Sequence, residues 1–121
     1  MFRYYNANPR NRRVNDCTVR AISLATNRTW DATYQELSDF AQAQAIMLDE
    51  VIYIDEYLER RFKKIYSHNK DLNLTVEEFV NKYPYGIYLI TMNGHITCAI
   101  DGIIYDTFDP SARVVWAAYK I

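Results

Sequence analysis

The spacing of apolar residues changes near residue 86, and this change predicts the order of the secondary-structure elements. Before it, apolar residues recur every three or four positions, which is typical of amphipathic helices. After it, short apolar runs are separated by glycine-containing pairs, which is typical of strands joined by turns. We predict helices at 17–25, 29–44, 51–62 and 75–83, a short strand at 64–66, and strands at 87–92, 95–100, 103–107 and 114–119. Helices followed by an antiparallel meander indicate an α+β fold, with residues 1–121 forming a single domain.

The helix at 17–25 is the one that the pattern predicts to be buried. Cys17, Ala21 and Leu24 fall on one face of it, and Val19 and Ile22 cover a second face. A helix that is apolar on two sides belongs in the centre of a domain. The preceding Asn15-Asp16 pair offers N-cap side chains. We therefore expect this helix to start at Cys17, with the thiol in its first turn.

Two turns in the last third of the chain set the register of the predicted sheet. Asn93-Gly94 and Asp101-Gly102 are both strong signals for two-residue hairpin turns. If Asp101-Gly102 is such a turn, Ile100 pairs with Ile103 and His95 lies opposite Phe108. Side chains alternate along a strand, so Asp106 would then share a face with His95 and Asp109 would point away.

Composition excludes several classes of protein. Half of the 121 residues are hydrophobic, which is enough for one core, yet no apolar run is long enough to span a membrane. The N-terminus lacks the order of a signal peptide, so we expect a soluble protein of the cytoplasm, or of a host's cytoplasm if a phage encodes it. Cys17 and Cys98 make no disulfide framework and lack the spacing of metal ligands, so no cofactor or metal is expected. Cys98 is interpreted as a core residue.

Charge is unevenly distributed along the chain, although the net charge is only −1. Residues 1–30 contain six arginines and one acid, and residues 31–62 contain eight acids and two arginines. A basic arm can bind nucleic acid, but this one is short and carries no nucleic-acid-binding motif. We therefore favour a solvated surface that pairs with the acidic segment, and we assign Arg20 to such a pair. Nucleic acid is not an expected partner.

The candidate chemistry centres on Cys17. A helix N-terminus lowers the pKa of a thiol, and a nearby imidazole can accept its proton. His68 lies in a polar loop and is expected at the surface, whereas His95 opens a strand. An imidazole also needs an orienting carboxylate or amide. The hairpin register favours Asp106 for this role, and a β-bulge would favour Asp109 instead.

Each of these residues alone is more simply explained as a core or turn residue. Together they resemble the papain-like superfamily, in which a nucleophilic cysteine on an N-terminal helix precedes a Gly-His strand and an acidic or amide residue. The Asp16-Cys17 step, Gly94-His95 and Asp109-Pro110 are similar to those of small bacterial and phage papain-like peptidases, including the leader-removing peptidases of bacteriocin exporters. The resemblance implies that the Cys17 helix packs on a C-terminal antiparallel sheet.

The resemblance also implies an oxyanion donor, because such peptidases place an amide side chain six residues before the cysteine. Asn11 occupies that position here, with Asn15 as the alternative. This chain departs from the family in having Thr18 where glycine commonly follows the cysteine, and in having asparagine where glutamine is usual. Trp30 and Trp116 are interpreted as core residues or as walls of a cleft.

The functional prediction is a cysteine hydrolase, peptidase-like, that uses Cys17, His95 and Asp106 on a peptide or isopeptide bond. Its expected partner is a peptide or protein substrate, with no membrane partner, and the protein is expected to be a monomer or a small homo-oligomer. The alternative is a papain-like binding module or inhibitor, encoded by a phage or mobile element, that acts on a host protein without catalysis.

Overall fold

The computed structural model of the protein describes the backbone of residues 1–121 and the side chains of residues 1–50 and 54–121. The elements in chain order are β1 (Phe2–Tyr4), α1 (Cys17–Ala25), α2 (Trp30–Ala43), α3 (Val51–Arg61), β2 (Lys63–Ser67), α4 (Val76–Lys82), β3 (Ile87–Met92), β4 (His95–Ile100), β5 (Ile103–Asp106) and β6 (Ala117–Lys120). Over residues 1–121 these are four helices and a six-stranded sheet, so the predicted α+β class is confirmed.

The sheet has the strand order β1-β5-β4-β3-β6-β2. The C-terminal strands β3, β4, β5 and β6 pair antiparallel as predicted, and β1, which is parallel to β5, makes the sheet mixed. β1 is also a strand that the pattern did not predict. It is three residues long and mostly exposed, so it is too short for an alternating pattern and buries too little apolar area to produce one.

Two other boundaries differ from the prediction. β6 begins at Ala117 rather than at residue 114, because Val114 and Val115 pair instead with Thr75 and Leu74, outside the β3–β6 ladder. β2 extends beyond the predicted 64–66 at both ends. The helix predicted at 75–83 is confirmed as α4, and it begins with a capping box in which Thr75 and Glu78 each accept a hydrogen bond from the other's backbone N–H.

Both predicted hairpins are confirmed. Met92 pairs with His95, and Ile100 pairs with Ile103. Asp101 and Gly102 both have positive φ, 48° and 78°, as a type I′ turn requires. The register brings the ring of Phe108 to 4.7 Å from that of His95, measured between centroids, as the pairing of strands predicts.

Alternating strand residues contribute to two apolar cores on opposite faces of the sheet. Leu89, Ile96, Cys98 and Tyr119 pack with the side chains of α1 and α2, and Ile90, Ala99, Ile104 and Ala118 pack with those of α4. Six of the nine residues of α1 are buried, which confirms the prediction of a central helix, and α1 contacts β4. The start of α1 lies beside the start of β4, because Cys17 interacts with His95 and Ile96. Over the described residues, no helix has the length and apolar character needed to cross a membrane.

Candidate active site

Cys17 is the first residue of α1, and Asp16 is the N-cap residue. The side chain of Asp16 accepts no capping hydrogen bond from a backbone N–H of α1, so that prediction is wrong. Its carboxylate has other partners. Its Oδ1 accepts from Arg20 Nε at 2.7 Å, and its Oδ2 accepts from Trp30 Nε1 at 3.0 Å and from Asn8 Nδ2 at 3.2 Å. Asp16 thus anchors the helix start to two other segments of the chain, while the Cys17 thiol is half-buried.

His95 begins β4 directly after the Asn93-Gly94 turn and connects Cys17 to Asp106. Its Nε2 lies 2.7 Å from Asp106 Oδ2, and its side chain is also hydrogen-bonded to that of Cys17. Because Nε2 is engaged with Asp106, Nδ1 is the nitrogen that remains for the thiol. The structure therefore brings Cys17, His95 and Asp106 together.

Asp109 does not take part in this contact. Its Oδ1 accepts from the backbone N–H of Ser111 at 3.0 Å and also from the Ser111 hydroxyl group. Asp109 is exposed and closes a local turn, whereas Asp106 is only 3 % exposed. Of the two carboxylates left open by the sequence, the structure places Asp106 against the imidazole.

Burial and hydrogen bonding shift the pKa values of His95 and Asp106 in opposite directions. Burial by itself would raise the pKa of Asp106, but hydrogen bonds from His95 and from the backbone N–H of Thr107 outweigh it and lower that pKa. Burial would lower the pKa of His95, but its hydrogen bonds to Asp106 and Cys17 raise it to about 9. The imidazole is therefore protonated at neutral pH.

The thiol of Cys17 responds to the same surroundings. Burial tends to raise its pKa, but the hydrogen bond and charge of His95, the backbone N–H of Ile96 and the charge of Arg20 lower it below the usual 9.0. Cys98 gives the contrast, because burial raises the pKa of that thiol to about 12. The prediction that Cys98 is a core residue is confirmed, since it is fully buried. The pKa values of the two thiols are thus shifted in opposite directions.

The oxyanion donor implied by the resemblance is not where the structure would need it. Asn11 is exposed, has a φ of 54°, and contacts Asn6 through its Oδ1 at 3.4 Å. It is absent from the described residues that line the cleft at Cys17, whereas Asn15 is among them. The alternative, Asn15, is the asparagine that lines this cleft together with Cys17.

A cleft of about 280 Å³ opens at the Cys17 and His95 side chains. Most of its wall is apolar and comes from α1, α2, α3, the β3–β4 turn and the segment before β6. The lining side chains described are Val14, Asn15, Asp16, Cys17, Thr18, Val19, Trp30, Tyr34, Leu48, Asp49, Ile54, Asp55, Thr91, Met92, His95, Ile96 and Trp116. Both tryptophans line it, as the interpretation of cleft walls predicted.

Aromatic contacts hold two of these walls. Trp30 stacks on Tyr34 with centroids 5.1 Å apart, and its indole N–H is fixed by Asp16. On the other side, Trp116 stacks on His68 with centroids 6.0 Å apart. His68 is exposed, which confirms its predicted place at the surface. The ring of Trp30 is therefore oriented by other cleft residues, and that of Trp116 by His68, which is not among the lining residues.

Comparisons with known proteins were made for the whole chain. No family model, no curated protein and no solved structure matches it. The resemblance to papain-like peptidases is thus a prediction that rests on the residues quoted above.

Arg20 is the residue whose role was misjudged from the sequence. It was assigned to the acidic segment at 31–62, but its guanidinium instead pairs with Asp16 and Asp106. Arg28, which also belongs to the basic residues 1–30, does pair with that segment through Glu36. The Asp16-Arg20 spacing of four residues is a recognisable signal for a pair on one helix face, but no local pattern predicts the long-range contact to Asp106.

Among the described side chains, no group of three or more histidine, cysteine, aspartate or glutamate residues could hold a metal ion. The Cys17 thiol and the His95 imidazole at the cleft are groups capable of nucleophilic and acid–base chemistry.

Proposed function

We propose that this protein is a papain-like cysteine hydrolase that acts on a peptide or isopeptide bond. The observation that carries the proposal is the hydrogen-bonded chain Cys17–His95–Asp106, which begins at a helix N-terminus and faces an apolar cleft. A lowered thiol pKa beside a raised imidazole pKa favours a thiolate–imidazolium pair at neutral pH. Both cysteines are free, which fits a protein that works in a reducing cytoplasm.

The proposed reaction has two halves. The Cys17 thiolate attacks the carbonyl carbon, a C–S bond forms, and the carbonyl electrons move to the oxygen. When this tetrahedral species collapses, the C–N bond breaks and the His95 imidazolium gives its proton to the leaving amine. Neutral His95 then takes a proton from water, which attacks the thioester carbonyl, and the C–S bond breaks to release the acid and restore the thiolate. Asp106 holds the imidazole and stabilises its charged form throughout.

The oxyanion in both halves needs hydrogen-bond donors. The side chain of Asn15 lines the cleft two residues before the nucleophile, and the backbone N–H of Cys17 belongs to the first turn of α1. We assign these two groups to the oxyanion. The backbone N–H of Ile96 has a different task, because it is hydrogen-bonded to the Cys17 sulfur and stabilises the thiolate.

The cleft also supports a class of substrate. Its aromatic and aliphatic walls fit an extended peptide segment that carries a bulky apolar side chain near the scissile carbonyl. Asp49 and Asp55 add negative charge, and none of the described lining side chains is a lysine or arginine. A neutral or basic segment, such as a short peptide or a protein tail, therefore suits the cleft better than an acidic one.

Alkylation by iodoacetamide, followed by mass spectrometry of each cysteine peptide, tests the proposal without a known substrate. We expect Cys17 to be modified rapidly at pH 6 to 7 and Cys98 to stay unmodified in the folded protein. His95→Ala should slow the reaction of Cys17, and Cys98→Ala is the matched control that should not. Equal reactivity of the two thiols would refute the hydrolase and leave the non-catalytic binding module. A peptide library, digested in parallel with wild type and Cys17→Ala, then identifies the bond that is cut.

A further inference from the structure

The Arg20 guanidinium lies between two carboxylates that belong to different parts of the candidate site. Its Nε donates to Asp16 Oδ1 at 2.7 Å, and its Nη1 donates to Asp106 Oδ1 at 3.1 Å. The same Nη1 donates to the Thr107 hydroxyl group at 3.1 Å. The side chain is only 11 % exposed and those of the two acids are 6 % and 3 % exposed, so solvent screens these contacts weakly.

These contacts close a ring around the site. Asp16 is bonded covalently to Cys17, Cys17 contacts His95, and His95 contacts Asp106. Arg20 completes the circuit from Asp106 back to Asp16. Each carboxylate keeps its second oxygen for another partner, His95 for Asp106 and Trp30 for Asp16. Without Arg20, neither carboxylate would be linked to the other, and Asp106 would contact the start of α1 through the His95 imidazole.

We propose that Arg20 is a positioning residue of this site, whose guanidinium bridges Asp16 and Asp106 and thereby fixes the Cys17 helix against the strand end that orients His95. The planar fork of arginine suits this task because two nitrogens of one rigid group reach the two carboxylates in fixed directions, whereas lysine offers a single ammonium on a flexible stem. This inference rests on the proposed function. It adds a residue that touches neither the substrate nor the reacting atoms.

Arg20 also contributes a positive charge next to the thiol. The titratable or charged groups around it are Asp16 before α1, Cys17 on α1, His95 on β4 and Asp106 on β5, with Tyr5 and Tyr105 lining the small cavity beside it. Its charge favours the thiolate of Cys17. Loss of that charge would leave two buried carboxylates near the thiol without a cation between them, so ionisation of Cys17 would become harder.

The test is the pH profile of Cys17 alkylation by iodoacetamide in the full chain, with wild type, Arg20→Gln, Arg20→Lys and Arg28→Gln. For Arg20→Gln we expect the acidic limb to move up by about half to one pH unit, so that the rate at a pH on that limb falls about three- to tenfold. Arg20→Lys keeps the positive charge but loses the rigid bridge between Asp16 and Asp106. The acidic limb of its alkylation profile should therefore stay in place, while the plateau rate at higher pH falls. Arg28→Gln removes an exposed pair with Glu36 and should match wild type.

The outcomes separate this inference from the proposed function. If wild-type Cys17 reacts no faster than Cys98, the hydrolase proposal and this inference both fail. If wild-type Cys17 is reactive but folded Arg20→Gln keeps the wild-type limb, only the inference fails. Should Arg20→Gln not fold, Arg20→Lys decides: a profile identical to wild type in limb and plateau would overturn the bridging role, as would a limb displaced to higher pH.

Discussion

The carboxylate of Asp106 lies 2.7 Å from His95 Nε2, and this contact leaves the opposite nitrogen of the ring to Cys17. The two carboxylate oxygens have separate partners, because Oδ2 faces His95 while Oδ1 accepts from Arg20 and from the backbone N–H of Thr107. Asp106 can therefore neither rotate freely nor leave the ring without losing several hydrogen bonds. The contacts that hold the Asp106 carboxylate in place therefore also hold its negative charge beside the imidazolium.

Asp106→Asn should lower the pKa of His95. The amide can still accept a hydrogen bond from the ring, but the negative charge that favours the imidazolium is gone. Nuclear magnetic resonance titration of the imidazole should show its midpoint falling from about 9 by one unit or more. Asp109→Asn is the matched control and should leave the midpoint in place. A shift in Asp109→Asn alone would show that the wrong carboxylate has been assigned to the site.

Asn15→Ala should lower kcat on a cleaved peptide by about a hundredfold or more, which is the usual cost of losing one oxyanion donor. Asn11→Ala should leave kcat unchanged, since Asn11 is exposed and outside the described lining of the cleft. Steady-state kinetics with the peptide found in the library digestion makes the comparison. The assignment of Asn15 would be wrong if Asn11→Ala were the more damaging change.

The pH dependence of stability should reveal the thiolate–imidazolium pair. The pKa of His95 is raised in the folded state, so its stabilising effect is complete below pH 6.5 and is lost as the pH rises through about 9. The pKa of Cys17 is lowered, so its stabilising effect is complete above pH 9.0 and is lost as the pH falls through its folded value. Between pH 6.5 and 9 the two trends offset each other, because each state holds about one proton.

Cys17→Ala removes the contribution of the thiol to the pH dependence of stability and leaves that of His95. The folded variant still holds a proton on His95 that the unfolded chain has released, so the free energy of unfolding should fall as the pH rises, by at most about 1.4 kcal/mol per pH unit. Urea denaturation at pH 6.5 and 8.5 measures this, and wild type should lose less than the variant. Equal changes in the two proteins would argue against a coupled pair.

Trp116→Ala should weaken the recognition of bulky apolar groups without affecting the thiol. Trp116 is 40 % exposed and lines the cleft, so its removal costs little core packing. We expect Cys17 labelling by an N-benzyl chloroacetamide to fall about two- to tenfold, the usual worth of one aromatic contact, with iodoacetamide labelling unchanged. Tyr85→Ala, which is 80 % exposed and outside the described cleft lining, should change neither rate. Equal loss with both reagents would indicate a disturbed nucleophile instead.

What could be predicted from the sequence depended on whether the signal was local. The helix start at Cys17, the capping box at Thr75 and the turn at Asp101-Gly102 are encoded within a few residues, and all three are confirmed. The turn at Asp101-Gly102 also predicts a contact beyond its own residues, because it fixes the register and thus determines which side chains of β4 and β5 are neighbours. Proximity of Asp106 to His95 followed from that register.

Contacts between distant segments were the ones that sequence reasoning missed. The parallel pairing of β1 with β5 joins residues about a hundred positions apart, and nothing in Phe2–Tyr4 indicates its partner. Arg20 was paired with the wrong acids because charge counting along the chain ignores which carboxylates the fold brings near. Asn11 has the spacing from Cys17 that the resemblance implies, but its side chain contacts Asn6 and is not among the described residues that line the cleft.

Cys17 is synthesised early, and His95 and Asp106, which contact each other beside it, are synthesised late. Cys17 leaves the ribosome about ninety residues before Asp106, a delay of roughly 4 to 18 s at ordinary rates of synthesis. Until β4 and β5 exist, no imidazole or buried carboxylate can act on the thiol, so the nascent Cys17 has the modest reactivity of any free cysteine. The proposed activation of Cys17 is therefore a property that the protein would acquire only when its last third has folded.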